Sequence, residues 1–251
     1  MKLLILILLM VSLGGALWGE NTIEGTLSIM AESADANTQY EKAMRYHLGL
    51  FVSKDYREAH RWFNLAARQG HAKAQNFLGL YYANGLGVEK DIAESIKWYR
   101  LAADQGLDKA QFNLGLNYYH GIGLDKNYDQ AARFYQLAAE QGLATAQYNL
   151  GLCYYTGEGV AKDVSQAVKW IRLSALQGDA WAQHNMGVFY EQGEGVEKDI
   201  KEAYKWYYLA TTNASEDDQY EFSKRKYSVM KQLSAAEVAK AEEEAKAITD
   251  K

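Results

Sequence analysis

Apolar and polar positions recur along this chain in one order that returns every 36 residues over residues 37–214. Within one period, Ala146, Leu150 and Tyr154 are spaced four residues apart, which predicts an amphipathic helix over residues 145–156. A fixed period of this length indicates a solenoid, in which each unit buries its apolar face against the next.

A second helix in each period has a polar signal at its start and a glycine at its end. Asp163 and Gln166 have the spacing of a capping box, in which the first side chain accepts from a first-turn N–H and the second bonds back to the cap. Trp170 supplies the largest apolar side chain of this helix, and Gln177-Gly178 ends it. The capping pair recurs as Asp55/Glu58, Asp91/Glu94, Asn127/Gln130 and Asp199/Glu202.

Glycines mark two further places in the period. Gly157 and Gly159 form the loop between the helices, where a tight turn or a positive φ is needed. Gly151 lies inside the first helix, where glycine is less favourable than alanine by about 1 kcal/mol. Only small residues occupy the equivalent positions, which predicts a close contact with a neighbouring helix; they are Ala43, Gly79, Gly115 and Gly187.

These residues resemble the Sel1-like repeat (SLR) family, a relative of the tetratricopeptide repeat. The pattern is A-x-A-Q-x-N-L-G-x-x-Y-x-x-G-x-G-V-x-x-D-x-x-x-A-x-x-W-x-x-x-A-A-x-Q-G, which residues 72–179 follow almost completely. The first unit has Gly49 and Phe51 at the loop, and the last ends in Asn213-Ala214. The resemblance covers about 180 of the 251 residues.

The period and the resemblance together predict an all-α fold. We expect a right-handed α-solenoid of five 36-residue helix-turn-helix repeats with C-terminal capping helices. In domain terms, a signal peptide occupies residues 1–19, a linker or N-terminal cap residues 20–36, the five repeats residues 37–214, and the capping helices residues 215–251.

The N-terminal segment has the pattern of a signal peptide: Lys2, an apolar run over residues 3–13, then small residues with cleavage expected after Ala16 or Gly19. The alternative is an uncleaved anchor, because 17 uncharged residues are at the lower limit of a membrane span. We expect export to the periplasm or secretion, with membrane contact only if the leader is uncleaved.

The C-terminal residues leave the repeat register. Residues 215–232 predict a charged amphipathic helix with Tyr220, Tyr227 and Met230 facing inward, and a capping box at Ser234 begins an alanine- and glutamate-rich helix. Polar-faced terminal helices of this kind close a stack of repeats.

Charge and cysteine usage narrow the class of protein. The net charge of −5 argues against a nucleic-acid partner, which requires a basic face. The single cysteine, Cys153, cannot form an internal disulfide, and its place beside Tyr154 predicts a buried thiol.

No motif indicates catalysis. The glycine loops lack a preceding strand and a Gly-Lys-Ser/Thr sequence, so they do not predict a phosphate site. Ser223 and Ser228 each begin an S-x-x-K match, but the partner motifs of penicillin-binding enzymes are missing. We predict no catalytic residue, cofactor or metal; the histidines, which lack ligand spacing, are His47, His60, His71, His120 and His184.

Candidate binding residues come from the first helices, which by analogy with tetratricopeptide repeats line a concave groove. Side chains at these positions change from repeat to repeat while core positions do not, as expected of a recognition surface. The alternative is that the aromatic rings pack along the helix edge. The candidate partner-binding residues are Phe112, Tyr119, Tyr148, Tyr155, Trp181 and His184.

The resemblance implies an exported, non-enzymatic scaffold or adaptor. Its partner is expected to be a protein or peptide, in envelope signalling, cell-wall processes or host interaction. Two alternatives remain: a β-lactamase-like hydrolase, as in cysteine-rich relatives, and a module that binds peptidoglycan or another cell-wall glycan.

Overall fold

The computed structural model describes residues 35–249, and every regular element in that range is an α-helix. The first ten helices form five pairs, which confirms the predicted all-α solenoid of helix-turn-helix repeats, and two further helices follow. The predicted signal peptide, and all but the end of the predicted linker or cap, lie outside the described residues. The helices are α1 Ala36–Leu48, α2 Tyr56–Arg68, α3 Ala72–Asn84, α4 Ile92–Asp104, α5 Asp108–His120, α6 Tyr128–Glu140, α7 Ala144–Thr156, α8 Val164–Leu176, α9 Ala180–Gln192, α10 Ile200–Asn213, α11 Glu216–Met230 and α12 Ala235–Thr249.

The chain divides into two compact units whose boundary lies inside α4, after Trp98. In the first unit, Trp62, Phe63 and Tyr81 are buried in one apolar cluster. In the second unit, the buried clusters extend through the remaining repeats and the two last helices. Each unit therefore has its own hydrophobic core.

Within a repeat, the two helices are in close contact because the first carries a glycine. A Cβ added at Gly151 would lie 2.5 Å from Cγ1 of Ile171 and 3.2 Å from the Ala167 carbonyl oxygen. A Cβ added at Gly115 would lie 2.6 Å from the ring of Tyr135, and one added at Gly187 would lie 2.6 Å from the ring of Tyr207. The predicted close helix contact is confirmed.

The predicted core position of the second helix is buried in the first and last repeats, as Trp62 and Trp206, and half-buried at Trp98, Phe134 and Trp170. The residue after it is a core residue too, since Ile171 is completely buried. The same position is buried in other repeats because it faces the helical glycine or alanine; its residues there are Phe63, Tyr135 and Tyr207.

The start of each second helix confirms half of the capping-box prediction. Oδ1 of Asp163 accepts from the Gln166 N–H at 3.0 Å, as predicted. The second half is wrong, because the N–H of Asp163 donates to the carbonyl of Tyr154 at 2.9 Å. That carbonyl is in the last turn of α7, where backbone oxygens lack a partner within the helix. The other caps donate likewise, in the pairs Asp55/Tyr46, Asp91/Tyr82, Asn127/Tyr118 and Asp199/Tyr190.

The two loop glycines have different structural roles. Gly157 ends α7 with a φ of 83°, in the left-handed region. Gly159, with a φ of 75°, lies against the preceding repeat, and a Cβ there would overlap the carbonyl group of Tyr128 at the start of α6. The second glycine therefore allows the loop of one repeat to contact the second helix of the repeat before it.

A buried glutamine links successive repeats. Nε2 of Gln147 in α7 donates to the carbonyl of Ala139 at the end of α6, at 3.2 Å. Oε1 of the same side chain accepts from Nε2 of Gln177 at 2.8 Å. The last repeat keeps this bond despite its altered sequence, since Nδ2 of Asn213 donates to Oε1 of Gln183 at 3.0 Å.

The two last helices close the second unit on α10. α11 buries Phe222 and Val229, while Tyr220 and Tyr227 are exposed and Met230 is half-buried. The prediction that these two tyrosines face inward is wrong. Phe222 and Val229 are seven residues apart, and so are Tyr220 and Tyr227, so the periodicity could not show which pair faces the core.

The start of α12 has the complete reciprocal capping box that the sequence predicts. The N–H of Ser234 donates to Oε2 of Glu237 at 2.8 Å, and the N–H of Glu237 donates to Oγ of Ser234 at 3.3 Å.

Candidate functional site

The six candidate residues lie on three successive first helices of the second unit. Phe112 and Tyr119 are on α5, Tyr148 and Tyr155 on α7, and Trp181 and His184 on α9. Five of them are half-buried, and only the indole of Trp181 is exposed, at 47%. Each therefore has packing contacts as well as an accessible surface.

Two of the tyrosines bond to the repeat that follows them. The hydroxyl of Tyr119 donates to Oε2 of Glu158 at 2.8 Å. This bond and burial raise the pKa of Tyr119 to about 12. The hydroxyl of Tyr155 donates to Oε2 of Glu194 at 3.2 Å, and burial and this bond raise its pKa. Both carboxylates lie between the loop glycines, so these tyrosines hold the loop of the next repeat.

The two candidates near the start of α5 and α7 also contact neighbouring helices. The ring of Phe112 lies 5.7 Å from that of Tyr135 on α6. The hydroxyl oxygen of Tyr148 accepts from Nδ2 of Asn185 on α9 at 3.2 Å. Burial, followed by the charge of Asp179, raises the pKa of Tyr148 to about 12.

The candidates on α9 meet the capping helix α11. The ring of Phe222 stacks on His184 at 4.6 Å and meets the indole of Trp181 edge-on at 5.0 Å. Trp181 and His184 are also in contact, with centroids 6.2 Å apart. The structure thus brings these two candidates together under one residue of the cap, and the half of the indole beyond this contact is open to solvent.

His184 has an unusual environment for an imidazole. Its Nδ1 is buried and has no hydrogen-bond partner among the described residues. Burial and the nearby charge of Arg225 lower its pKa, while the weaker effects of Glu191 and Glu221 oppose them. At neutral pH the ring is therefore uncharged and packs as an aromatic side chain.

Three residues outside the predicted set also shape this face: Glu158, Glu194 and Phe222. The prediction for the glycine loops gives the two glutamates no role, and the predicted inward face of α11 does not include Phe222. Glutamate occupies the position between the glycines only where the preceding repeat has tyrosine at the matching site of its first helix. This covariation between repeats was a signal available in the sequence.

The described residues offer little for catalysis. Cys153 is buried, as predicted, and burial raises the pKa of its thiol to about 11, so the nucleophilic thiolate is disfavoured. Within residues 35–249, no group of three or more histidine, cysteine or acidic side chains is arranged to hold a metal ion. In the same range, no helix combines the length and apolarity needed to cross a bilayer.

None of the six candidates lines either of two surface depressions of the described residues. The larger, of about 720 Å³, is in the first unit. A smaller one, of about 480 Å³, lies beside the start of α10. The lining residues of the first are Lys54, Asp55, Tyr56, Arg57, Gly85, Gly87, Val88 and Glu89, and those of the second are Tyr190, Val196, Glu197, Lys198 and Asp199.

Stacked helix pairs with variable side chains on a constant core define a repeat protein of the α-solenoid class. A family model described as Sel1 repeat matches most of the chain, which therefore belongs to the Sel1 repeat family. Repeats of this family generally mediate protein–protein interaction, and their proteins are generally non-enzymatic scaffolds. The matched segments are residues 36–71, 72–107, 108–143, 144–179 and 182–215.

Two solved structures are similar in sequence and fold. One is a protective antigen present in uropathogenic Escherichia coli strains and described as having an SLR fold, with 37% identity and a TM-score of 0.73. The match covers 80% of this chain but 43% of that protein, so this chain spans less than half of its length. The other is a Sel1 repeat protein from Oxalobacter formigenes, with 38% identity, a TM-score of 0.68 and 72% of each chain covered.

A third structure is similar in fold alone. It is a putative Sel1 repeat protein from Klebsiella pneumoniae, with 23% identity, a TM-score of 0.51, and coverage of 78% of this chain and 95% of that one. No curated protein is a significant match to the chain.

Proposed function

We propose that this protein is an exported, non-enzymatic scaffold that binds a protein or peptide through the first-helix face of its repeats. The observation that carries the proposal is the half-exposed indole of Trp181 beside His184 on α9. Tryptophan is enriched among binding hot spots. The equivalent positions of the three preceding repeats hold Lys73, Lys109 and Thr145, so the repeat does not require an aromatic ring there.

The other candidates support the binding face in a different way. Tyr119 and Tyr155 hold the next loop through their hydroxyls, while part of each ring remains accessible. Because these contacts fix the rings before a partner arrives, binding requires little further ordering of side chains. These tyrosines therefore both position the repeats and contribute apolar area to the face.

Crosslinking with an amine-reactive reagent in native envelope extract tests this proposal. Lys109 lies on the first helix α5, and Lys240 lies on the capping helix α12 as a control outside both proposed surfaces; both are exposed. We expect partner crosslinks at Lys109 and few at Lys240. Crosslinks confined to Lys240 would contradict binding through the first helices. Retention on insoluble peptidoglycan that is lost in Trp181→Ala would assign the face to a glycan instead.

Export is part of the same proposal. The motive is the sequence of residues 1–19, and the similar Escherichia coli protein is described as a protective antigen. We predict that the native protein begins near Leu17 or Glu20 and is recovered from the periplasm or the medium. N-terminal sequencing of the native protein checks this, and an intact Met1 in the cytosolic fraction would contradict it.

A further inference from the structure

The second helices carry a row of exposed leucines. Leucine occupies the same position in α4, α6, α8 and α10, as Leu101, Leu137, Leu173 and Leu209. In the first three the side chain is 48%, 37% and 39% exposed, and Leu176 on α8 is 50% exposed. We name Leu101, Leu137 and Leu173 the leucine row.

The fourth leucine shows what can cover this position. Leu209 is only 1% exposed, and it shares one apolar cluster with Trp206 of α10 and with Ala245 and Ile248 of α12. α12 is held on α10 by polar contacts as well. The hydroxyl of Tyr204 donates to Oε1 of Glu242 at 2.7 Å, and Nζ of Lys201 lies 3.2 Å from Oε2 of Glu244.

The covering helix has a simple chemistry. Its apolar stripe consists of Val238, Ala241, Ala245 and Ile248, spaced by three or four residues, and an acidic run, Glu242, Glu243 and Glu244, lies beside it. Small residues in the stripe allow α12 to lie close to α10, and the acidic run meets a lysine and a tyrosine hydroxyl there.

The uncovered part of the row has basic side chains, concentrated on α8. α8 contains Lys169 and Arg172 and no acidic residue, whereas α6 places Arg133 one turn before its leucine and also carries Asp129 and Glu140. Arg133 and Lys169 are exposed, whereas Arg172 is half-buried and bonds to the hydroxyl of Tyr190. A second copy of the same row would bring like charges together, which disfavours pairing between two rows.

We propose that the leucine row, at α6 and α8, is a second docking surface, and that its occupant is an acidic amphipathic helix of a partner protein, whose apolar stripe covers the leucines as that of α12 covers Leu209 on α10. Leu137, Leu173 and Leu176 form the apolar floor, and Arg133 and Lys169 pair with carboxylates of the incoming helix. This surface lies on the second helices and is independent of the first-helix face proposed above.

A fluorescent peptide copying residues 234–249 tests the proposal on the full-length protein by fluorescence anisotropy. A scrambled peptide of the same composition serves as the control, since it keeps the charge and loses the apolar stripe. We expect saturable binding of the copy, weakened at high salt, and at least about ten-fold weaker binding of the scrambled peptide.

Substitutions on the protein locate the bound peptide. We expect Leu173→Asp to weaken binding by about ten-fold or more, and the double variant Arg133→Glu/Lys169→Glu, at exposed positions outside the core, to weaken it without loss of helical circular dichroism. Trp181→Ala is expected to leave peptide binding unchanged. A result that contradicts the leucine row can therefore be distinguished from one that contradicts binding through the first-helix face.

Three results would overturn the proposal. The first is no binding of the copied peptide. The second is binding that the Leu173→Asp and charge-reversal variants leave unchanged, since the peptide would then be elsewhere, for example in place of α12. The third is a dimer of the wild-type protein that Leu173→Asp dissociates, because the occupant would then be a second copy of this chain.

Discussion

Single residues determine how closely the helices of a repeat approach one another. Gly151 is inside α7, and the side chain of Ile171 occupies the space that a Cβ would need. Gly178 is different: it has a φ of 92° and nothing within 4 Å of an added Cβ, so only its backbone conformation favours glycine. Glycines in this chain therefore serve either close packing or a left-handed turn, and some serve both.

Replacing Gly151 with leucine should destabilise the protein far more than replacing Gly157 with alanine. The larger side chain must displace Ile171, and overpacking of this kind costs roughly 1–3 kcal/mol or more. At Gly157 an added Cβ lies 3.3 Å from Cβ of Lys162, at the surface, and the main cost is the positive φ. Urea denaturation of both variants measures the difference; equal, small losses would mean that the helices can move apart freely.

Tyr119→Phe should lower stability at pH 8, and this loss should disappear at very high pH. Because the fold raises the pKa of Tyr119 from about 10 to about 12, its contribution is complete below pH 10 and is lost as the pH rises to 12. Solvent screens this partly exposed bond, so we expect a loss of roughly 0.5–1.5 kcal/mol at pH 8. Urea unfolding at several pH values is the measurement.

The exposed Tyr220 provides the control for that experiment. Tyr220→Phe should leave stability unchanged across the same pH range. An equal loss in both variants, or a loss in Tyr119→Phe that persists at pH 12, would show that the bond to Glu158 is not the cause.

Helices of the terminal cap influence the candidate site directly. α11 places Phe222 on His184 and Trp181, so the last first-helix surface is partly covered by the chain itself. His184 also faces Arg225 and Glu221 on α11, Glu191 on its own helix and Tyr207 on α10. Its charge state therefore affects the packing of three helices.

Acidification should weaken this packing through His184. Its folded pKa lies below the unfolded value of about 6.5, so its contribution is present above pH 6.5 and is lost as the pH falls through the folded pKa. We expect the melting temperature of the wild type to fall more between pH 7.5 and pH 5 than that of His184→Phe.

Phenylalanine suits this position because Phe112 occupies its equivalent in α5. The comparison isolates one imidazole, since His47, His60 and His71 are present in both proteins. Identical pH dependence of the two melting temperatures would contradict a role for His184.

Local sequence patterns predicted the helices and some of the contacts between helices, but other contacts could not be predicted from them. The periodic Gly151 predicted the close approach to a neighbouring helix, because every repeat had to satisfy the same packing. The reciprocal bond of the Asp163 cap could not be predicted, since the carbonyl of Tyr154 in the preceding helix takes the N–H. The inward face of α11 was also beyond the pattern, because this helix occurs once and has no repeat for comparison.

At the scale of the molecule, each compact unit separates a constant core from variable surfaces. Buried glutamines such as Gln147 join one repeat to the next through hydrogen bonds of their side-chain amides, so the first helices can vary without loss of register. Trp181 lies outside this scheme of packing, and its exposed edge remains available. The exposed edge of Trp181 is therefore the part of the first-helix face that the packing of the repeats does not use.

The most direct test measures how tightly the Trp181→Ala variant binds the partner that crosslinking identifies. The control is Tyr227→Ala, an aromatic residue of similar exposure on the cap, 53% against 47%. We predict that Trp181→Ala weakens binding by at least about 1–2 kcal/mol, with unchanged helical circular dichroism and a melting temperature within about 4 °C of the wild type, and that Tyr227→Ala binds normally. Intact binding in Trp181→Ala together with a large loss of stability would show that the indole belongs to the core, and the first-helix face would then not be the binding surface.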